Sequence, residues 1–448
     1  MYIALVPDLA DISVLDATSA LDRGDASSRE LVEACLARIR DADGVPSFDG
    51  DARSINAWVR VYEEDALAAA ARADERRARG VVGPLCGVPV GVKDIYAIAG
   101  KPLTASSRVL DHVPARDCDA WARLEGAGMV LLGHLHTHEF AAGGTTDQVG
   151  NPWALERSAG GSSGGSAAAL AARMTPAATG TDTAGSLRIP SAMCGTSTIK
   201  PTRGLVSIRG IVPLAPSLDH AGPMARTVAD CEPLLAALAG VDPSRERRPL
   251  RRVALSPRIG DLDPDVADGL ERALGHLDVV AVPPPDVVLD LGRAPLDVLT
   301  AEMLVYHRRF DDRRDLYRPS VRGFLEYGEQ RALTAAEYAA TQFRRTEDAA
   351  RWLEWLDEHR LDAILEPTLP IVARPRGRGY DEPFTDLAEI SLTHYWNWTG
   401  FPVVALPAGV GRRSGLPVSV SLIGRPFADW DLLAAGAALQ AKLGTVAP

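Results

Sequence analysis

Cysteine is scarce in this chain, with five in 448 residues. Cys35, Cys86, Cys118, Cys194 and Cys231 are odd in number, widely scattered, and never in a CxxC or metal-type spacing. That excludes a disulfide framework, fits buried free thiols, and leads us to expect a reducing, cytoplasmic setting. No run approaches eighteen or so uninterrupted apolar residues, so no membrane-spanning helix is expected. The N-terminal MYIALVPDLADISVLD has no basic region and meets Asp8 and Asp11 early, which argues against a secretory signal. Positive charge is in deficit. Lys and Arg number 48 against 59 Asp and Glu, a net charge of −11. This balance argues against nucleic acid or an anionic membrane as partner. No GK[ST] follows a glycine-rich turn, so a nucleotide cradle is not expected. There is no internal repeat and no long linker, and one domain over residues 1–448 is preferred.

What is present suits a soluble α/β chain with ample core, 46% hydrophobic and 24% charged. Residues 10–80 read as helices. Ser27 with Glu30 makes a capping box, and a helix from Glu63 to Arg79 ends at Gly80. PLCGVPVGV, from Pro84 to Val92, reads as a buried strand. A helix within 117–137 leads into the strand MVLLGHL, the alternation of a sheet covered by helices. Residues 81–235 form the expected catalytic core, with 140–224 dense in Gly, Ser, Thr and Ala. In the remainder, 236–448, helices are expected at 262–275, 296–330 and 334–359. Strands are expected at Ala363–Leu365, Val403–Leu406 and Val418–Leu422. Val282–Asp286 and RPRGRG at 374–379 read as loops.

Residues 158–204 read SAGGSSGGSAAALAARMTPAATGTDTAGSLRIPSAMCGTSTIKPTRG. Alone, GGSSGGS suits a flexible linker. A linker, however, does not run straight into the helix-forming AAALAA, nor does a second turn, TDTAGS, follow it at a fixed remove. Glycines beside serines at a helix start leave backbone N–H groups bare, as an oxyanion requires. A serine hydroxyl needs a base to become nucleophilic. Lysine serves only when neutral, and burial lowers its pKa. VPVGVKD places Lys93 at the end of an apolar strand, where desolvation does this. Asp94 would hold the lysine charged if close, but adjacent strand residues point to opposite faces.

Taken together, GVPVGVKD, GGSSGGSAAA, GTDTAGSLRIPSAMCG, IKPTRGLVS and SLDHAGPMARTVAD resemble the amidase signature family, over essentially the whole chain and most strongly between 84 and 230. The resemblance implies a large mixed β-sheet sandwiched between helices. It implies Ser186 as nucleophile, Ser162 as bridging serine after a cis Gly161–Ser162 bond, and Lys93 as base. The spacing of 186 − 162 = 24 residues selects Ser162 over Ser163. The oxyanion would be held by the N–H groups of Thr183, Ala184, Gly185 and Ser186. The chain departs from the family in carrying Ala184 where Gly is usual, which puts specificity in question more than catalysis.

The activity implied is hydrolysis of an amide-type C–N bond, with carbamates and esters open to the same chemistry and no cofactor or metal required. The alternative is the catalytic subunit of a multi-protein amidotransferase. The substrate is expected to be a small molecule, met by 139–150, with Gly143 and Gly144 as contacts, and by parts of 295–400. There Met303, Tyr306, Phe310, Tyr317, Phe324 and Tyr327 favour an aryl or alkyl amide. Ureido acids are disfavoured for want of a clear pocket arginine, and a homodimer is the default assembly. His134, His136 and His138 admit a metal site or a loop wall, the latter preferred. Asp182 and Arg188 are expected to pair across the nucleophile turn. His220 is not expected to act in catalysis. Trp396 and Trp398 suit the pocket and the core equally.

Overall fold

A computed structural model describes residues 8–242, 246–377, 379–382 and 387–448. Met1–Pro7 of the N-terminal stretch and Arg378 of the RPRGRG segment lie outside the described residues. The strands are β1 (Trp58–Val61), β2 (Pro89–Lys93), β3 (Val130–Leu135), β4 (Gly150–Asn151), β5 (Ala154–Ser158), β6 (Ala177–Asp182), β7 (Ser197–Lys200), β8 (His220–Ala225), β9 (Val253–Leu255), β10 (Val279–Val280), β11 (Ala363–Pro367), β12 (Val403–Val410) and β13 (Pro417–Gly424). Eleven form one sheet in the order β1-β3-β2-β6-β8-β7-β12-β13-β11-β9-β10, and β4 pairs with β5 apart from it. β2 runs parallel to β3 and β6, and β9 parallel to β10 and β11; the other pairings in the large sheet are antiparallel.

Helices cover both faces, as side-chain alternation shows. Ala177 and Ala225 join Val228, Leu234 and Leu238 of the helix Val228–Ala239 in one cluster. Their strand neighbours Ala178 and Met224 join Ala167, Ala168 and Leu170 in another. The helix Gly164–Ala171 is buried along its whole length, which is why AAALAA has no polar face. It lies close against β6 because that strand is small-sided. A Cβ on Gly180 would come within 2.6 Å of Leu187 and 2.9 Å of Ser163 Oγ.

Most expected elements form. The capping box at Ser27 opens the helix Ser28–Ala42, and the second helix runs Glu63–Ala78. The strand expected from Pro84 begins only at Pro89. The single helix expected over 296–330 is broken into Ala294–His307, a 3-10 stretch Arg308–Leu316, and Pro319–Arg331. Pro319 explains the second break, since the residue before proline is pushed out of the helical region and Arg318 is extended (φ −62°, ψ 149°). Among the described residues no helix is long and apolar enough to cross a membrane.

Candidate active site

Because β2 and β6 are parallel neighbours, their carboxyl ends emerge at the same edge of the sheet, the usual place for a site in such folds. β2 ends in Lys93, which has no exposed surface. Its Nζ lies 2.7 Å from Ser162 Oγ, 2.8 Å from Ser163 Oγ and 3.0 Å from Thr181 Oγ1. Burial pulls its pKa down to about 7, against the upward pull of Asp182 and Asp219. Three hydroxyls suit a neutral amine, which has two N–H groups to give and one lone pair to fill. Asp94 stays clear of this cluster, as strand alternation predicts. Its carboxylate accepts from the N–H of Ser106 at 2.9 Å, the N–H of Thr104 at 3.2 Å, and Thr104 Oγ1.

Ser162 follows a cis Gly161–Ser162 bond. Its carbonyl accepts from His138 N–H at 3.0 Å and Thr146 Oγ1 at 3.1 Å. Both neighbouring serines reach Lys93, so geometry alone does not single out Ser162 as the 24-residue spacing does.

Ser186 sits in the turn between β6 and the helix Arg188–Cys194. A buried network fixes this turn. Asp182 accepts from Arg188 Nε and Nη2, both at 2.9 Å, and from Leu187 N–H at 3.1 Å. Asn397 completes it, donating to Asp182 Oδ1 at 2.8 Å and accepting from Arg188 Nη2 at 2.7 Å. Burial pushes the Asp182 carboxyl up, but the guanidinium outweighs it and holds the pKa well below the usual range. The expected Asp182–Arg188 pair is therefore present and fully buried.

Thr183 Oγ1 donates to Asp219 at 2.5 Å, and Thr393 Oγ1 donates to the Ala184 carbonyl at 2.5 Å. Since a trans peptide sets its C=O and N–H on opposite sides, holding Ala184 O turns the Gly185 N–H the other way. Gly185 has φ +139°, and a Cβ there would collide with Thr393, whose Cβ would lie at 2.8 Å. Among the described residues, none accepts a hydrogen bond from the N–H groups of Thr183, Ala184, Gly185 or Ser186.

The turn borders a cavity of about 820 Å³. Gly143, Gly144, Thr183, Ala184 and Ser186 all line it. Leu214, Leu218, Leu291, Leu296, Leu299 and Ile390 make most of its surface apolar. Of the aromatics expected there, Phe324 and Tyr327 face it. Tyr306, Phe310 and Tyr317 instead pack around Phe140, with ring centroids 5.7 to 6.3 Å away. Trp396 and Trp398 are fully buried in the core, Trp396 donating to Glu366 and Trp398 to Asp348. The three alternating histidines take separate partners: His134 with Tyr62, His136 with Ser106 and Gln148, His138 with the Thr145 carbonyl. His220 Nδ1 donates to the Leu218 carbonyl at 2.7 Å and takes no part in the serine cluster.

Sequence reasoning missed Arg258, the 289–293 segment, His394 and Asn397. Asn397 stands between the two tryptophans of HYWNWTG, and its single amide gave no signal of its own. Arg258 and Arg293 both line the cavity, supplying arginines the sequence did not locate.

The fold and this cavity define an α/β enzyme of the amide-hydrolysing class. The chain belongs to the Amidase family, whose sequence model matches residues 30–433. It is 37% identical to a glutamyl-tRNA(Gln) amidotransferase subunit of Roseiflexus sp. (strain RS-1), covering 96% of each chain. Among solved structures, it resembles an amidase with a TM-score of 0.83 and 31% identity, over 97% of this chain and 100% of that one. A second likeness, with a TM-score of 0.86 and 30% identity over 97% and 99%, is to a vestigial protein complex bearing on the origins of an s-triazine catabolic enzyme.

Proposed function

We propose that this amidase works through Ser186 as nucleophile, Ser162 as proton relay and Lys93 as base. The observation that best supports the reading is a lysine without exposed surface, ringed by hydroxyls and held near pKa 7 by burial. Neutral Lys93 takes a proton from Ser162 as Ser162 takes one from Ser186. The Ser186 oxygen attacks the carbonyl carbon, and the oxyanion meets the unpaired N–H groups of 183–186. The proton returns through Ser162 to the leaving nitrogen. Water then hydrolyses the acyl-enzyme, with the same relay as base.

Gly143 and Gly144 border the bound substrate. The cavity's apolar walls favour an aryl or alkyl amide, and a carbamate would follow the same path. In this reading the chain acts on a small molecule in the cytoplasm without a cofactor, with a homodimer as the default assembly. A second reading, the catalytic subunit of a multi-protein amidotransferase, is favoured by the names of the curated relatives.

The test is hydrolysis of p-nitroanilides, amides, carbamates and esters by the purified chain alone. Activity lost by about 10⁴-fold or more in Ser186→Ala is expected. Equal turnover by Ser186→Ala would require another nucleophile. No turnover of any substrate by the lone chain would favour the amidotransferase reading.

A further inference from the structure

Polar side chains are few in the largely apolar cavity, and Arg258, Asp290, Arg293 and His394 are among those that reach its surface. Arg258 is rigidly seated. Its Nη1 donates to the Leu392 carbonyl and its Nη2 to the Ser391 carbonyl, both at 2.8 Å, and the guanidinium lies 4.4 Å from the Tyr395 ring centroid. Each Nη carries two hydrogens, so one on each is left over. Its charge is met from behind by Glu366, whose Oε2 lies 3.9 Å from Nη1.

His394 is tied to the same short segment, its Nδ1 lying 2.6 Å from the Ile390 carbonyl. A carbonyl only accepts, so Nδ1 carries the hydrogen. Burial, first, and then Arg258 pull the imidazole down to about 4, so it is neutral near pH 7. Nε2 is then a bare acceptor, and among the described residues nothing donates to it. The two side chains thus present a charge-balanced donor beside a fixed acceptor, both anchored to 390–392.

We propose that Arg258 and His394 form a specificity subsite for a neutral donor–acceptor group on the substrate other than the scissile one, such as a carboxamide, urea or lactam edge. The carbonyl of such a group accepts from Arg258 while its N–H donates to His394. An alkyl group would leave both side chains unpaired, at a cost for each. A carboxylate would satisfy Arg258 but set negative charge against the His394 lone pair, with Glu366 3.9 Å from the Arg258 guanidinium and Asp290 lining the cavity along with Arg293. This subsite rests on the proposed action of Ser186 at the same cavity.

Two p-nitroanilide-type series would test it, one varying the acyl end and one the amine end, each closing in carboxamide, carboxylate or isosteric isopropyl. Wild type should favour carboxamide over isopropyl by about 10- to 100-fold in kcat/KM in at least one series. His394→Leu should bring that ratio near one. His394→Gln, which keeps an acceptor, should restore part of it, a rescue that a merely structural role would not give. Arg258→Met, which also frees two carbonyls, is the secondary variant. A flat ratio in both series, or preference for the carboxylate, would overturn the subsite and leave the Ser186 mechanism standing. Undiminished turnover in Ser186→Ala would overturn the mechanism itself.

Discussion

A lysine sealed inside a protein normally brings a carboxylate with it, because an unpaired buried ammonium is far costlier than a neutral amine. Lys93 brings hydroxyls instead, and Asp182, the carboxylate that raises its pKa most, is itself engaged by Arg188 and Asn397. Its pKa of about 7 is a folded value below the ordinary lysine value, so the neutral form that the proposed mechanism needs grows as pH rises. We therefore expect kcat/KM to climb about tenfold per pH unit below that point and level off above it, as a pH–rate profile would show. Lys93→Met should lower kcat by about 10²- to 10⁴-fold and abolish this limb. The proposed trio of Lys93, Ser162 and Ser186 could be named from sequence because each lies in a contiguous motif whose texture differs from its surroundings. Arg258 and His394 could not, since nothing local distinguishes them and only the folded chain brings 257–258, 289–293 and 390–394 to one wall.

The turn between β6 and the helix Arg188–Cys194 depends on elements distant in sequence. Gly185→Ala should keep the fold but cost about 10²- to 10³-fold in kcat, the effect of displacing one of the proposed oxyanion donors, checked by kinetics beside circular dichroism. Arg188→Met leaves the buried Asp182 carboxylate without its ion-pair partner and should destabilise the protein by about 3–5 kcal/mol in denaturant titration. Helices with clear caps were legible to within a few residues. β6 and β8 were hidden, because the alternating Thr179 and Thr181 of AATGTD sit among small residues and Asp, and HAGPMA has no β-branched residue at all. Their small residues serve close approach to the helix Gly164–Ala171, a packing demand that overrides propensity. The helix expected over 296–330 erred in the opposite way: its apolar spacing persists across a break that Pro319 imposes.

The whole chain is proposed to be one cooperative unit rather than the three regions its texture suggests. Scanning calorimetry should then show a single transition whose calorimetric and van't Hoff enthalpies agree, whereas two resolved transitions would divide it. Mixed-sheet architecture was legible in the family motifs, but strand order was not, because pairing between residues hundreds of positions apart leaves no mark in a single sequence. That order has a consequence for synthesis. β12 and β13 are made about two hundred residues after β7, yet they sit mid-sheet between β7 and β11. Until β12, which ends at Val410, has been made, β7 offers an open edge to any passing strand. The nascent enzyme therefore passes through a long sticky interval, in which a chaperone's protection matters more than it ever will to the finished fold.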